Sequence, residues 1–358
     1  MPTFNDNMYK KLIIRKEISN YRELTLHDYE IDFSSNDYLG IAKTNNTGST
    51  GSRLISGNYN EIEKLENDFS VFVGSERSLF YNSGYQANVG IIPALSDRNT
   101  TIIYDEFIHA SLRDGIRLSY SKNYSFVHND LNNLKGKLER ANGLILIVVE
   151  SVYSMDGDSP DLKELIDIAE EYNAEIIVDE AHALGVVGQN GEGLVSHLKL
   201  TDKILATIYP IGKAMGTSGA FVTGSELLRS FLINYCRSFI YSTAPTRSIV
   251  KEVSIQLNEL SAMDDRDKVF KLKDYFLLKL SDDYSIITGP HGAIVSLMIK
   301  GNSMIKMAEK ELLNNGVFVK AILHPTVPEH QERLRICFHK FNSKEEVDLL
   351  LNVLNKMN

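Results

Sequence analysis

Residues 144–149 are six apolar residues in a row, closed by Glu150. A run of that kind, with no polar alternation, marks a strand buried on both faces. A helix follows, expected to be capped by Ser159 with Pro160 at its first position and with Leu162, Leu165, Ile166 and Ala169 as its buried stripe. Residues 176–178 read as the next strand, ending at Asp179, and residues 205–209 as another. Strand–helix–strand alternation predicts a mostly parallel sheet with helices on its faces. Such sheets bind ligands at the carboxyl ends of their strands. Asp179 and the pair Ser83-Gly84 fall at expected strand ends, and Lys213 follows one closely.

On either side of this alternation the patterns are shorter. Residues 9–24 suggest an amphipathic helix, and residues 30–33 lead into the turn-rich SSNDYLG (34–40). Asn60, with Glu63 three residues on, is the expected cap of a helix whose Ile62, Leu65, Phe69 and Phe72 share a face. Residues 78–81 form a short expected strand, and YQANVGIIPAL reads as a helix after Gly84. From Thr246 long helical patterns run to Leu280, followed by strands at 293–299, 317–322 and 333–338 and helices at 303–314 and 344–356. The expected organisation is an N-terminal helix and lead-in (1–45), a large α/β domain (46–248) and a smaller C-terminal α/β domain (249–358).

Composition narrows the function. The 358 residues carry a formal charge of -9, which weighs against a nucleic-acid partner needing a basic face. Cys236 and Cys337 lie far apart, match no metal spacing and make no disulfide framework, so a cytoplasmic, reducing setting is expected and no metal is. Near the start only Leu12, Ile13 and Ile14 form an apolar run. No stretch reaches the roughly 20 residues of a membrane span.

Residues 179–182 spell Asp-Glu-Ala-His, a box known from helicases. A helicase also needs a phosphate loop upstream. Here Gly212-Lys213 lies downstream, is followed by Ala214, and has Thr207 where the first glycine belongs. The helicase reading fails on that count. A different chemistry uses an aspartate ending an apolar strand, a lysine 34 residues later between glycines, and a glycine-opened helix at Gly84. Pyridoxal phosphate takes a lysine for its Schiff base, a carboxylate for its ring nitrogen and a helix N-terminus for its phosphate.

From Ile31 onward the chain resembles the α-oxoamine synthases, pyridoxal-phosphate enzymes of the aspartate-aminotransferase-like fold (fold type I). The resemblance rests on FSSNDYLG (33–40), GSRLISG (51–57), NSGYQANVG (82–90), DEFIHASLRDG (105–115), ESVYSMDGD (150–158), VDEAHALGVVG (178–188), GKAMGTSGA (212–220), FIYSTAP (239–245) and PTVPEHQERLRI (325–336). It implies a seven-stranded, mostly parallel large domain and a decarboxylative condensation of an amino acid with an acyl thioester. Lys213 would carry the cofactor imine, Asp179 would pair with the ring nitrogen and His109 would stack on the ring. His182 would bond the ring's phenolic oxygen, with Ser154 nearby. Gly84 and Tyr85 would give N–H groups to the phosphate, and Ser242 or Thr243 of a neighbouring subunit would complete that site, which implies a homodimer. Arg335 would grip the amino-acid carboxylate, Asn36 and Thr326 would face the substrates, and Arg22 would recognise the acyl chain. Of Arg333 and Arg335, two residues apart on an expected strand, at least one is expected to be a plain surface charge.

Three departures from the family pattern stand out. Pro210 replaces the Thr or Ser three residues before the lysine, removing a phosphate hydrogen bond that Thr217 or Ser218 would have to supply. Leu323 stands where an arginine is common, and Asn342-Ser343 where a His-Thr pair is. The competing class on the same residues is an aminotransferase.

Overall fold

The computed structural model describes residues 3–26, 33–42 and 48–357. The chain divides into two compact units, Met1–Ser151 with Pro160–Ala262, and Val152–Ser159 with Met263–Asn358. The helix Arg247–Ala262 thus belongs to the first unit, and residue 248 falls inside it. The N-terminal helix belongs to the first unit as well.

The first unit contains β1 (Arg77–Tyr81), β2 (Thr100–Asp105), β3 (Lys122–Phe126), β4 (Leu144–Glu150), β5 (Ala174–Asp179), β6 (Ala206–Pro210) and β7 (Ala220–Gly224). They form one seven-stranded sheet in the order β1-β7-β6-β5-β4-β2-β3. The ladders β3-β2-β4-β5-β6 are parallel, and β7 runs antiparallel to both β6 and β1. The apolar run in β4 lies at the middle of the sheet, with Leu146, Ile147, Val148 and Val149 at 0% exposure. Each such side chain contributes about 1.5–3 kcal/mol of burial free energy. By contrast β3 exposes Lys122, Asn123, Tyr124 and Ser125, as an edge strand can, and so carries no apolar signal.

The helix Asn60–Val73 covers β7 through Phe69, whose ring stacks on Phe221 at 3.8 Å between centroids. Ile62, Leu65, Val253 and Leu257 join the same cluster. Asn60 is not its cap: the N-cap is Tyr59, which makes no side-chain cap bond, and Asn60 is the first helical residue. Nor does Ser159 cap the helix Leu162–Glu171. Asp161 does so, taking the N–H groups of Lys163 and Glu164 at 3.1 Å each. An ionised carboxylate serves two donors and favours the positive end of the helix, which a hydroxyl does less well. The first helix runs Phe4–Glu17 rather than 9–24, started by a Thr3–Asp6 capping box. Of residues 30–33, only Phe33 lies within the described residues.

In the second unit β8 (Ile286–Ile287), β9 (Ile294–Met298), β10 (Lys320–Ile322) and β11 (Arg333–Cys337) form an antiparallel sheet, β10-β11-β9-β8. Val295, Leu297, Leu334 and Ile336 pack with Phe276, Ile305, Leu312 and Leu350 from its helices. No helix among the described residues is long and apolar enough to cross a membrane.

Neither arginine of β11 is a plain surface charge. Arg333 is 2% exposed and ion-pairs with Asp156, itself 2% exposed. Removing one member of a buried pair strands the other charge. Arg333→Ala should lower stability by about 3–5 kcal/mol in urea unfolding. A loss below about 1 kcal/mol, the worth of an exposed pair, would show that the pair is not formed in solution.

Candidate active site

A cavity of about 700 Å³ in the first unit is lined by Gly84, Asn88, His109, Glu150, Asp179, His182, Pro210, Lys213 and Thr217, among others. Its floor is set by the sheet. Glu150 ends β4 and Asp179 ends β5, and the two are direct partners in the parallel register. Lys213 comes three residues after β6 ends at Pro210. Gly84 opens the helix Gly84–Leu95, reached from β1 through Asn82 and Ser83.

Asp179 is buried. Its Oδ1 accepts the Ala181 N–H at 2.9 Å and its Oδ2 accepts from Asn88 Nδ2 at 2.8 Å. A carboxylate offers about four lone-pair sites, so these two bonds leave capacity for a further donor. Glu150 is also buried, and its Oε1 accepts the His109 N–H at 2.5 Å. Burial pushes its carboxyl well above the ordinary range, and the Asp179 charge adds to that. His109 caps the helix Ala110–Leu118, with Nδ1 receiving the Ser111 N–H at 3.2 Å. Lys213 is solvent-exposed in the single chain.

At the helix start, the Ser83 hydroxyl takes the Gln86 N–H and the Ser83 carbonyl takes the Ala87 N–H. The N–H groups of Gly84 and Tyr85 have no intrahelical acceptor, as in any first turn, and suit an anion. Gly84 has no room for a side chain: a Cβ there would lie 2.7 Å from Pro210 Cβ. Tyr85 is not helix core. It is 55% exposed and donates to Asp114 Oδ2 at 2.7 Å. Pro210 brings no hydroxyl to this wall, whereas Thr217 Oγ1 is buried without a hydrogen-bond partner among the described residues. An acceptor carboxylate, a primary amine, free helix N–H groups and a spare hydroxyl around one cavity fit pyridoxal phosphate.

Not every expected residue meets there. Ser242 and Thr243 lie outside the lining. Ser242 Oγ is bonded by Gln86, and the Thr243 carbonyl accepts from Asn82 Nδ2 at 2.8 Å. Arg22 lines a different cavity, of about 470 Å³, beside Glu66 and Arg229, with its Nη1 on the Asn234 carbonyl at 2.8 Å. Asn36 is exposed and bonds Tyr38. In the second unit Arg335 gives its Nε to the Ser154 carbonyl at 2.6 Å and Nη1 to Cys337 Sγ at 3.0 Å. Thr326 sits in an exposed turn there. Sequence reading passed over Glu150, Asn88 and Ser111 as individual residues. Glu150 carries the same signal as Asp179, an acid closing an apolar strand.

The chain belongs to the aminotransferase class I and II family, which it matches over residues 29–354. The resemblance to α-oxoamine synthases holds over most of the chain: 8-amino-7-oxononanoate synthase of Lysinibacillus sphaericus is 36% identical over 344 residues, 91% of this chain and 88% of that protein. Serine palmitoyltransferase of Sphingobacterium spiritivorum is 33% identical over 335 residues, 88% of this chain and 83% of that one. A solved structure of SPT with a PLP internal aldimine has a TM-score of 0.82 at 26% identity, covering 88% of this chain and 81% of that one.

One neighbour of Asp179 makes stability depend on pH. Glu180 is fully buried, accepts the N–H groups of Leu194 and Val195 at 2.9 and 2.8 Å, and is pushed up by burial to about 7. Gly193, at φ +92°, passes so close that a Cβ there would meet Glu180 Oε2. The folded chain holds this proton more tightly than the unfolded one, whose carboxyl titrates near 4.5. The stabilisation is therefore full below about 4.5 and is lost as pH rises toward about 7. Glu150 contributes with the same sign. Thermal unfolding of Glu180→Gln should show a shallower fall in Tm across that window than the parent; an unchanged slope would remove Glu180 as its source.

Proposed function

We propose that the chain is a pyridoxal-phosphate-dependent acyltransferase that condenses L-alanine with a pimeloyl thioester, on coenzyme A or a carrier protein. The products are 8-amino-7-oxononanoate, CO2 and the free thiol, a step of biotin synthesis. The observation that carries this reading is one cavity holding Lys213, Asp179 and the Gly84 helix start together. The relatives named 8-amino-7-oxononanoate synthase support the choice of reaction, as do the blocks FSSNDYLG and FIYSTAP.

When bound, pyridoxal phosphate supplies an electron-poor ring that stabilises negative charge at the amino acid's Cα. Asp179 would pair with the ring nitrogen through a charge-assisted bond, which would keep that nitrogen protonated and the ring electron-poor. Gly84 and Tyr85 N–H groups would hold the phosphate, and Thr217, whose buried hydroxyl has no partner among the described residues, would supply the bond that Pro210 lacks. His109 and His182 line the cavity; His182 would bond the cofactor's phenolic oxygen and His109 would stack on its ring. Lys213 would hold the cofactor through Nζ, and its amine is the group that would serve as general base for the Cα proton. Arg335 binds the amino-acid carboxylate. Two of its nitrogens are engaged within its own unit, and Nη2 has no partner there among the described residues. Ser154, Thr326, Asn36 and Arg22 remain assigned to substrate recognition by resemblance.

A homodimer is part of this reading, with Ser242 or Thr243 completing the partner's phosphate site. Phe33, Tyr38 and Leu39, at 97, 85 and 83% exposure, support an apolar face that a second copy would cover. A second reading, condensation of serine with a longer acyl chain, is favoured by the serine palmitoyltransferase relative.

The test is a substrate panel. Protein loaded with pyridoxal phosphate is offered alanine, glycine or serine with acyl thioesters of several lengths, and thiol release is followed. Alanine with pimeloyl thioester should be the best pair. Serine with palmitoyl thioester as the best pair would replace the first reading by the second, and conversion of the cofactor to its amine form with a keto acid would indicate an aminotransferase.

Lys213→Ala should abolish turnover and the label that borohydride fixes at position 213. Full activity in that variant would refute the assignment of Lys213.

A further inference from the structure

Four side chains at the cavity form a chain of hydrogen bonds in which every proton can be placed. Asp179 as a carboxylate only accepts, so Asn88 turns its amide nitrogen toward Oδ2, at 2.8 Å. The same Nδ2 reaches Ser111 Oγ at 2.9 Å. Asn88 Oδ1 is buried with no partner among the described residues. Flipping the amide would press that oxygen against the carboxylate, so the Asp179 charge decides the orientation. Having accepted from Asn88, Ser111 Oγ keeps its own hydrogen for His109 Nδ1, at 2.7 Å. The Ser111 N–H is directed at the same nitrogen, at 3.2 Å. A ring nitrogen that accepts two donors carries no proton, so the ring N–H sits on Nε2. The far end of the residue is held too, by the His109 N–H on Glu150 Oε1.

We propose that Asn88 and Ser111 are positioning residues that relay the orientation of Asp179 to His109 and lock its imidazole as the Nε2–H tautomer. The acid under the cofactor's nitrogen and the histidine at its face are then set by one network. A bound substrate oxygen meets a fixed donor at His109, not an exchanging one. The catalytic consequence rests on the function proposed above; the network itself lies wholly within the chain. Ser111 follows His109 by two residues in a helix first turn, and Asn88 lies one turn into the helix that Gly84 opens. The relay therefore needs both helix starts in place at once.

The experiment is nitrogen NMR on holoenzyme labelled with ¹⁵N-histidine, the His109 signals being identified by their loss in His109→Asn. The parent should show one bare and one protonated ring nitrogen, with the proton couplings of Nε2–H. Ser111→Ala should mix the tautomers, and Ser111→Thr, which keeps the hydroxyl, should restore the single one. Asn88→Ala should weaken pyridoxal phosphate binding roughly ten-fold, read from cofactor absorbance, because Asp179 loses a charge-assisted bond. A parent spectrum with the proton on Nδ1, or a Ser111→Ala spectrum identical to the parent, overturns the proposal. Should Ser111→Ala not fold, the parent tautomer and its retention in Ser111→Thr decide. If borohydride fixes nothing at Lys213 the functional reading falls, while the tautomer result stands or falls separately.

Discussion

The pairing of β4 with β5 is the constraint on which the site depends. Their parallel register sets Glu150 against Asp179 on the last rung, inside a sheet whose interior is apolar. Two carboxyls so placed cannot both carry charge cheaply. Burial, with the neighbouring Asp179 charge, pushes the Glu150 carboxyl well above the ordinary range, while Asp179 accepts from Ala181 and Asn88. A slip of one residue in either strand would turn one acid to the opposite face of the sheet and dissolve the pair.

The same economy runs around the cavity wall. Gly84 has no side chain because Pro210 stands where one would go. That contact keeps the helix start open to an anion while removing the hydroxyl that the family pattern puts at position 210. Thr217 brings a buried, unspent hydroxyl to the same lining. Below Asp179, Glu180 faces away into the protein and caps the short helix Leu194–His197. Adjacent acids in one tetrapeptide thus have unrelated duties, one toward the cavity and one toward the fold. The helicase-like spelling of residues 179–182 arises from that division.

Much of the site was legible because its anchors sit at strand ends, and strand ends show as abrupt changes from apolar to polar. Asp179, Lys213 and the Ser83-Gly84 start were found that way, and the structure gathers them in one cavity. Glu150 showed the same signature and was passed over. The caps were read less well. Asn60 and Ser159 are good capping residues by type, but Tyr59 and Asp161 hold those positions, since a helix starts where packing places its first turn. Arg22 bonds Asn234, 212 residues away, in a separate cavity, a pairing that no local pattern announces. The segment Val152–Ser159 joins the second unit through Arg333–Asp156 and Arg335–Ser154, although it lies in the middle of the first unit's sequence.

The amino-acid sequence by itself determined the parallel sheet and the residues at its carboxyl edge, because period and apolar run length are local properties of the chain, and its motif blocks carried the family. Only the tertiary structure decided which donor faces which acceptor. The bond from Asn88 to Asp179, the raised carboxyl of Glu150 beside Asp179 and the close approach of Pro210 to Gly84 all depend on distances between residues far apart in sequence. Hydrogen bonds and charges act over a few ångströms, and those ångströms exist only once the helices have closed on the sheet.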